Sequence, residues 1–125
     1  MMSTKIYDEN LVVLASTVIS ATGNQTALAV SGLGVGDFTY KAVIDVTAVV
    51  GIFDGANNFT LQVQSSTDGI TFTNVGEVIT ALAIGESYIA INSTQVVNAT
   101  HFRIAVTMVG TTATSVTATA FLTKV

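Results

Sequence analysis

The feature that most constrains this chain is a period of two in its apolar residues. From Phe38 to Val50 the even positions are Phe38, Tyr40, Ala42, Ile44, Val46, Ala48 and Val50, while the odd ones include Thr39, Lys41, Asp45 and Thr47. Successive side chains of a strand point to opposite faces, so this alternation predicts one long strand with a dry face and a wet face. The pattern returns three times. Phe59, Leu61 and Val63 alternate with Thr60, Gln62 and Gln64; Phe102, Ile104, Val106 and Met108 alternate with His101, Arg103, Ala105 and Thr107. Val116, Ala118, Ala120 and Leu122 alternate with Ser115, Thr117, Thr119 and Thr123. Helical periodicity is not evident anywhere.

Four weaker strands fill the gaps, over Leu11–Ser20, Gln25–Ser31, Ile70–Ile79 and Glu86–Ser93. The first is apolar on both faces, as is Tyr88–Ile91, which predicts strands covered on both sides. Between Phe72 and Ile79 the apolar phase slips near Asn74–Gly76, the mark of a bulge. The polar stretch Asn92–Thr100 holds at most a short turn. Eight antiparallel strands with short loops, in a chain of 125 residues, predict one all-β domain over residues 11–125, built as a two-sheet sandwich. A jelly roll is the first expectation and an immunoglobulin-like Greek-key sandwich the alternative. Met1–Asn10 has no clear strand pattern and reads as an N-terminal arm.

The chain has no proline, so its turns rest on ten glycines and on Asn and Asp. In Ser65–Gly76, SSTDGITFTNVG, Asp68–Gly69 sits between two alternating runs and predicts a hairpin with Ile70 and Phe72 inward, Thr71 and Thr73 outward. There is also an internal echo. Val46–Gly51 precedes the strand at Phe59–Ser66, and Val106–Gly110 precedes the strand at Thr114–Thr123. Both read as a long strand, a glycine turn and a returning strand, hence two similar hairpins.

Half of the residues are hydrophobic and only 10% are charged, against about 25% in average usage. Threonine takes over the outer polar role. A surface so poor in charge predicts that a partner covers part of it. The net charge is −4, and the bases Lys5, Lys41, Arg103 and Lys124 are scattered. Neither nucleic acid nor an anionic membrane is an expected partner, because both require clustered cations. Cysteine is absent, so disulfides and thiolate sites are excluded. Leu11–Ile19 has the apolarity of a signal-peptide core, but Asp8 and Glu9 stand where a positive flank is required. No apolar run approaches the roughly 20 residues of a membrane-spanning helix.

The search for chemistry yields little. His101 is the only histidine, and no partner that would make it a general base or a metal ligand is evident in sequence. The acids occur singly apart from Asp8–Glu9, Asp68 has no second carboxylate beside it, and Gly-x-Ser-x-Gly is absent. The run Ser31–Asp37, SGLGVGD, has the spacing of a phosphate loop but leads into a strand instead of a helix, so it reads as a β–β connection. Sequons at Asn24, Asn58, Asn92 and Asn98 are expected to stay bare. No catalytic residue, cofactor or metal is expected. Arg103 and Asp45 both fall on wet faces and would pair if their strands were neighbours, an exposed pair worth roughly 0–1 kcal/mol. An interface role for Arg103 is the sharper alternative.

The segments Tyr40–Gly51 (YKAVIDVTAVVG), Phe59–Val75 (FTLQVQSSTDGITFTNV) and His101–Val116 (HFRIAVTMVGTTATSV) resemble small structural proteins of tailed bacteriophages, of the capsid decoration (cement) type. The likeness runs from Tyr40 onward and consists of strand and turn grammar. It implies a protein on the outer surface of the virion head that binds the major capsid protein and strengthens the shell, as a homo-oligomer, with a trimer favoured over a dimer. Because the shared pattern is architectural, it transfers no functional residue. The contact residues expected here are Lys5, Ile6, Tyr7 and Asp8 of the arm, together with Arg103. A carbohydrate-binding or adhesin-like module, or a tail or neck component, are the alternatives.

Overall fold

The computed structural model describes residues 12–29, 39–92 and 99–124, and all regular structure within them is β. The strands are β1 (Val12–Ile19), β2 (Gly23–Asn24), β3 (Leu28–Ala29), β4 (Thr39–Gly51), β5 (Asn58–Ser66), β6 (Thr73–Asn74), β7 (Ile79–Ala81), β8 (Gly85–Asn92), β9 (His101–Val109) and β10 (Ala113–Lys124). They form two antiparallel sheets. The first has the order β1-β10-β4-β8. In the second, β9 and β5 are central, β2 and β3 share the place beside β9, and β6 and β7 share the place beside β5.

Those shared places reduce ten strands to eight positions. The chain changes sheet at every step except from β5 to β6. That is the strand order of a jelly roll. It differs from an immunoglobulin-like order, which keeps its first two strands in one sheet. The four strongly alternating segments became the four inner strands, β4, β10, β5 and β9. Inner strands have neighbours on both sides and a partner sheet below, so their alternation is the cleanest.

The inner faces meet in one apolar core. Ile44 of β4, Phe59 and Leu61 of β5, Ile104 of β9 and Val116 of β10 are fully enclosed, and Phe102, Ile91 and Leu122 nearly so. Burial of such side chains contributes about 1.5–3 kcal/mol each.

Five local expectations are corrected. The even-numbered dry face of β4 stops at a register shift between Thr117 and Ala118 of the neighbouring β10, where Thr47 is left over. Beyond it Val49 packs on the core and Val50 is 54% exposed, because one extra residue flips every later side chain. β1 is also irregular in register. Its consecutive buried pair Val13–Leu14 reflects that irregularity, and Ala15, Ser16 and Val18 are open to solvent. Tyr88 and Ala90 of β8 are likewise exposed, so neither strand is covered on both faces as expected. Of the strand expected over Gln25–Ser31, the described part holds only the two-residue β3, with β2 ending just before it, and the strand expected over Ile70–Ile79 is broken into β6 and β7. The phase slip near Asn74–Gly76 is present. β5 advances three residues, from Gln64 to Leu61, while its partner advances five, from Asn74 to Ile79.

The fifth correction concerns the internal echo. β4 lies in one sheet and β5 in the other, as do β9 and β10. The echoed segments are therefore arches that cross between sheets, not hairpins. β4 pairs with β10 and β5 with β9, so the two arches lie against each other.

Candidate interaction surfaces

The arches define one end of the sandwich. Asp54 and Asn57 close the β4–β5 arch through reciprocal backbone bonds, Asp54 N to Asn57 O at 2.8 Å and Asn57 N to Asp54 O at 3.2 Å. The Asp54 carboxylate accepts from Asn57 Nδ2 and from Ala56 N, each at 2.9 Å. These bonds, the Asn57 one foremost, hold its pKa below the ordinary aspartate range. Asn57 Oδ1 then reaches the other arch and accepts from Thr111 N at 2.9 Å and Thr112 N at 3.2 Å. In return Thr112 O accepts from Ile52 N at 2.9 Å, and Thr112 Oγ1 donates to Ile52 O at 2.8 Å.

The echoed glycines permit this clasp. Gly51 and Gly110 have φ of 101° and 79°, a region that disfavours any side chain. A Cβ on Gly110 would overlap Asn57 Oδ1 and Ala56 O, and one on Gly51 would overlap Thr112 O and Thr114 N. Each glycine therefore makes room for the opposite arch.

This end is apolar as well as interlocked. Besides Val50, Ile52 is 67% exposed, Leu82 48% and Ile84 65%. Leu82 and Ile84 lie in the β7–β8 connection, which joins Ala81 beside Phe59 to Gly85 beside Val46 and so belongs to the same end. Branched apolar side chains held open on a hydrogen-bonded frame are the usual material of contact surfaces.

The opposite end holds the hairpin at Asp68–Gly69. Ser66 Oγ accepts from Gly69 N at 2.8 Å and Asp68 N at 3.1 Å, and donates to Asp68 Oδ1 at 2.9 Å. Asp68 Oδ1 also accepts from Ile70 N at 2.8 Å and Thr71 N at 3.0 Å. The two amides, Thr71 first, hold the Asp68 pKa below the ordinary range. This capping turn explains why Ile70 does not point inward. The amide donations fold its backbone over the carboxylate, and its side chain is 83% exposed. His101, at the start of β9, rests on Gly69 and shares a 2.8 Å hydrogen bond between its Nδ1 and Thr100 Oγ1.

Arg103 does not meet Asp45. It lies on β9 of the second sheet, whereas Asp45 lies on β4 of the first. On the outer face of its own sheet its guanidinium lies over the Phe72 ring, 3.9 Å from the centroid. Phe72, expected to face inward, is drawn out to this stack. Arg103 Nε donates to Gln64 Oε1 at 2.7 Å, and Gln64 Nε2 donates to Asn74 Oδ1 at 2.9 Å.

Asp45 instead stands directly across from Glu86 on β8. Tyr88 Oη donates to Glu86 Oε1 at 2.7 Å, and Lys41 Nζ lies 4.7 Å from the Tyr88 ring centroid. The Glu86 bond and charge, with a smaller push from Asp45, raise the Tyr88 pKa. Lys41 thus offsets two acids placed side by side, an arrangement otherwise unfavourable between strands.

Of the expected contact residues, Lys5, Ile6, Tyr7 and Asp8 lie outside the described residues, as do the Ser31–Asp37 run and the sequon at Asn98. Asn58 is buried, with its Nδ2 donating to Asp54 O at 3.0 Å. Among the described residues no group of three His, Asp or Glu side chains converges on a point that could hold a metal ion. The residues missed from sequence are Asn57, Gln64 and Phe72. Only the pairing of β5 with β9 places Gln64 beside Arg103, and nothing local to the sequence signals it. No protein-family model matches the chain, and no curated protein matches it.

Proposed function

We propose that this protein is a structural component of a phage virion, a decoration or cement protein attached to the outer surface of the head. The observation that carries the reading is the arch end: Val50, Ile52, Leu82 and Ile84 stand open to solvent on a frame clasped by Asn57. A rigid jelly roll with a pre-ordered apolar end loses little conformational freedom on docking. The partner is the major capsid protein, and the resemblance of Tyr40–Gly51, Phe59–Val75 and His101–Val116 to cement proteins points the same way. A ligand that binds only the assembled shell stabilises it by mass action. Attachment as a homo-oligomer, a trimer first, multiplies weak contacts into avidity. The arm Met1–Asn10 extends the contact onto the shell or onto a neighbouring copy.

Two measurements test this. Purified protein is expected to bind stoichiometrically to expanded heads lacking it and to raise their resistance to heat. Heads that bind none and melt at the same temperature contradict the proposal. Deleting Met1–Asn10 is expected to weaken saturation of the shell, and an unchanged affinity removes the arm from the contact.

A further inference from the structure

The geometry points to Arg103 as a receptor for a single carboxylate carried by a protein partner. This goes beyond the attachment proposed above: Arg103 stands opposite Gln64, toward the hairpin end and away from the arches, so it is a second contact that does not depend on the first. Arg103 is the only arginine of the chain and is half-buried on the outer face of β9. Two neighbours fix its plane: Phe72 lies under its face at 3.9 Å, and Gln64 takes its Nε proton at 2.7 Å. Gln64 is itself held by Asn74. Among the described residues those two contacts are all that Arg103 makes, and none of them is with an acid.

The remaining edge of the guanidinium is the one between its two Nη nitrogens. Their hydrogens emerge in parallel, the arrangement that takes both oxygens of a carboxylate. A long cationic side chain ordinarily surrenders rotamer freedom when it binds. Here the stack and the Gln64 bond have already removed much of it. Arginine and aromatic residues are among those enriched where proteins meet.

Charge selects among oxyanions. One fork in a chain of net charge −4, with neutral Gln64 and Asn74 beside it, matches one negative charge. A polyphosphate or nucleic acid would need several cations. The other face of the sandwich offers the contrast, since Lys41 there is already engaged with Tyr88 beside Glu86 and Asp45. The occupant is thus an exposed Asp, Glu or C-terminal carboxylate of another protein.

The test needs no shell, so its failure and a failure of head binding are separate results. A single arginine gives one Nε–Hε signal in nitrogen-correlated NMR. Full-length protein is titrated with a blocked Gly-Glu-Gly peptide, its Gly-Gln-Gly counterpart and inorganic phosphate. The expected result is a saturable shift at Arg103 and at the Gln64 amide with the Glu peptide, at least fivefold weaker with phosphate and absent with Gln. Phe72→Leu, which keeps an apolar neighbour but removes the stack, is expected to weaken the Glu response several-fold, as is R103K read at the Gln64 amide. Equal responses to Glu and Gln, equal responses to phosphate, or indifference to Phe72→Leu overturn the proposal. So does self-association in sedimentation that R103K abolishes, which would make a second copy the occupant.

Discussion

The arch end and the hairpin end use the same device and reach different results. At each, an aspartate accepts amides of its own turn and a glycine of positive φ lets another segment come close. At the arch end the close neighbour of Gly110 is a fixed group, the Ala56 carbonyl and the amide oxygen of the clasping Asn57. At the hairpin end the neighbour of Gly69 is the His101 imidazole, whose Cε1 would lie 2.8 Å from a Cβ placed there. A backbone cannot step aside, whereas a ring can turn. The arch end is therefore the stiffer of the two, and it presents Val50, Ile52, Leu82 and Ile84 on that stiff frame, whereas the hairpin end presents Ile70 on its capped turn.

Substituting the two glycines breaks the comparison most directly. Gly110→Ala is expected to cost at least about 2 kcal/mol, from the positive φ and the overlap together. Gly69→Ala carries the same backbone penalty but is relieved by movement of His101, so its loss is expected to be smaller. Denaturant unfolding of both variants checks the order, and equal losses would remove the distinction. Next comes Asn57→Ala, which leaves Thr111 N and Thr112 N to water and is expected to lose about 1–2 kcal/mol. Hydrogen exchange at those two amides should accelerate with it.

Acid should act on both ends. The Asp54 and Asp68 pKa values are depressed in the folded chain. Their stabilisation is present above the unfolded aspartate pKa, near 3.9, and is lost as pH falls through the lower folded values. Asp68→Asn is expected to flatten the acid side of the stability curve, with an effect on the melting temperature smaller than that of Asn57→Ala at neutral pH. An unchanged curve would show that the carboxylate contributes nothing through its charge. The smallest effect on stability is expected from Leu82→Ser with Ile84→Ser. Exposed substitutions usually fall within about 0.5 kcal/mol, so folding should be retained while attachment to heads is lost.

What was legible in the sequence follows from where neighbours lie. β4, β5, β9 and β10 alternate because each has one dry face, and their residues announce it. The arches were misread as hairpins because a glycine turn looks the same whether the chain returns in its own sheet or crosses to the other. Only the partners of the flanking strands decide that, and Gly51 opposite Ala113 with Asn58 opposite Val109 is a long-range fact. Val50 was placed inside because its even position continues the pattern, while the bulge that reverses it depends on register with β10. Arg103 was expected on a wet face, and it lies half-buried on the outer face of its sheet. Its setting was missed, since Phe72 reaches it from a turn and Gln64 from a neighbouring strand.

Imaging phage heads incubated with the protein bears most directly on the idea that the arch end attaches to a shell. In an electron cryomicroscopy reconstruction of heads incubated with the purified protein, density for the sandwich is expected on the outer surface, with Ile52 and Ile84 turned toward the capsid. Heads without added density, or a sandwich bound with that end facing solvent, would contradict it.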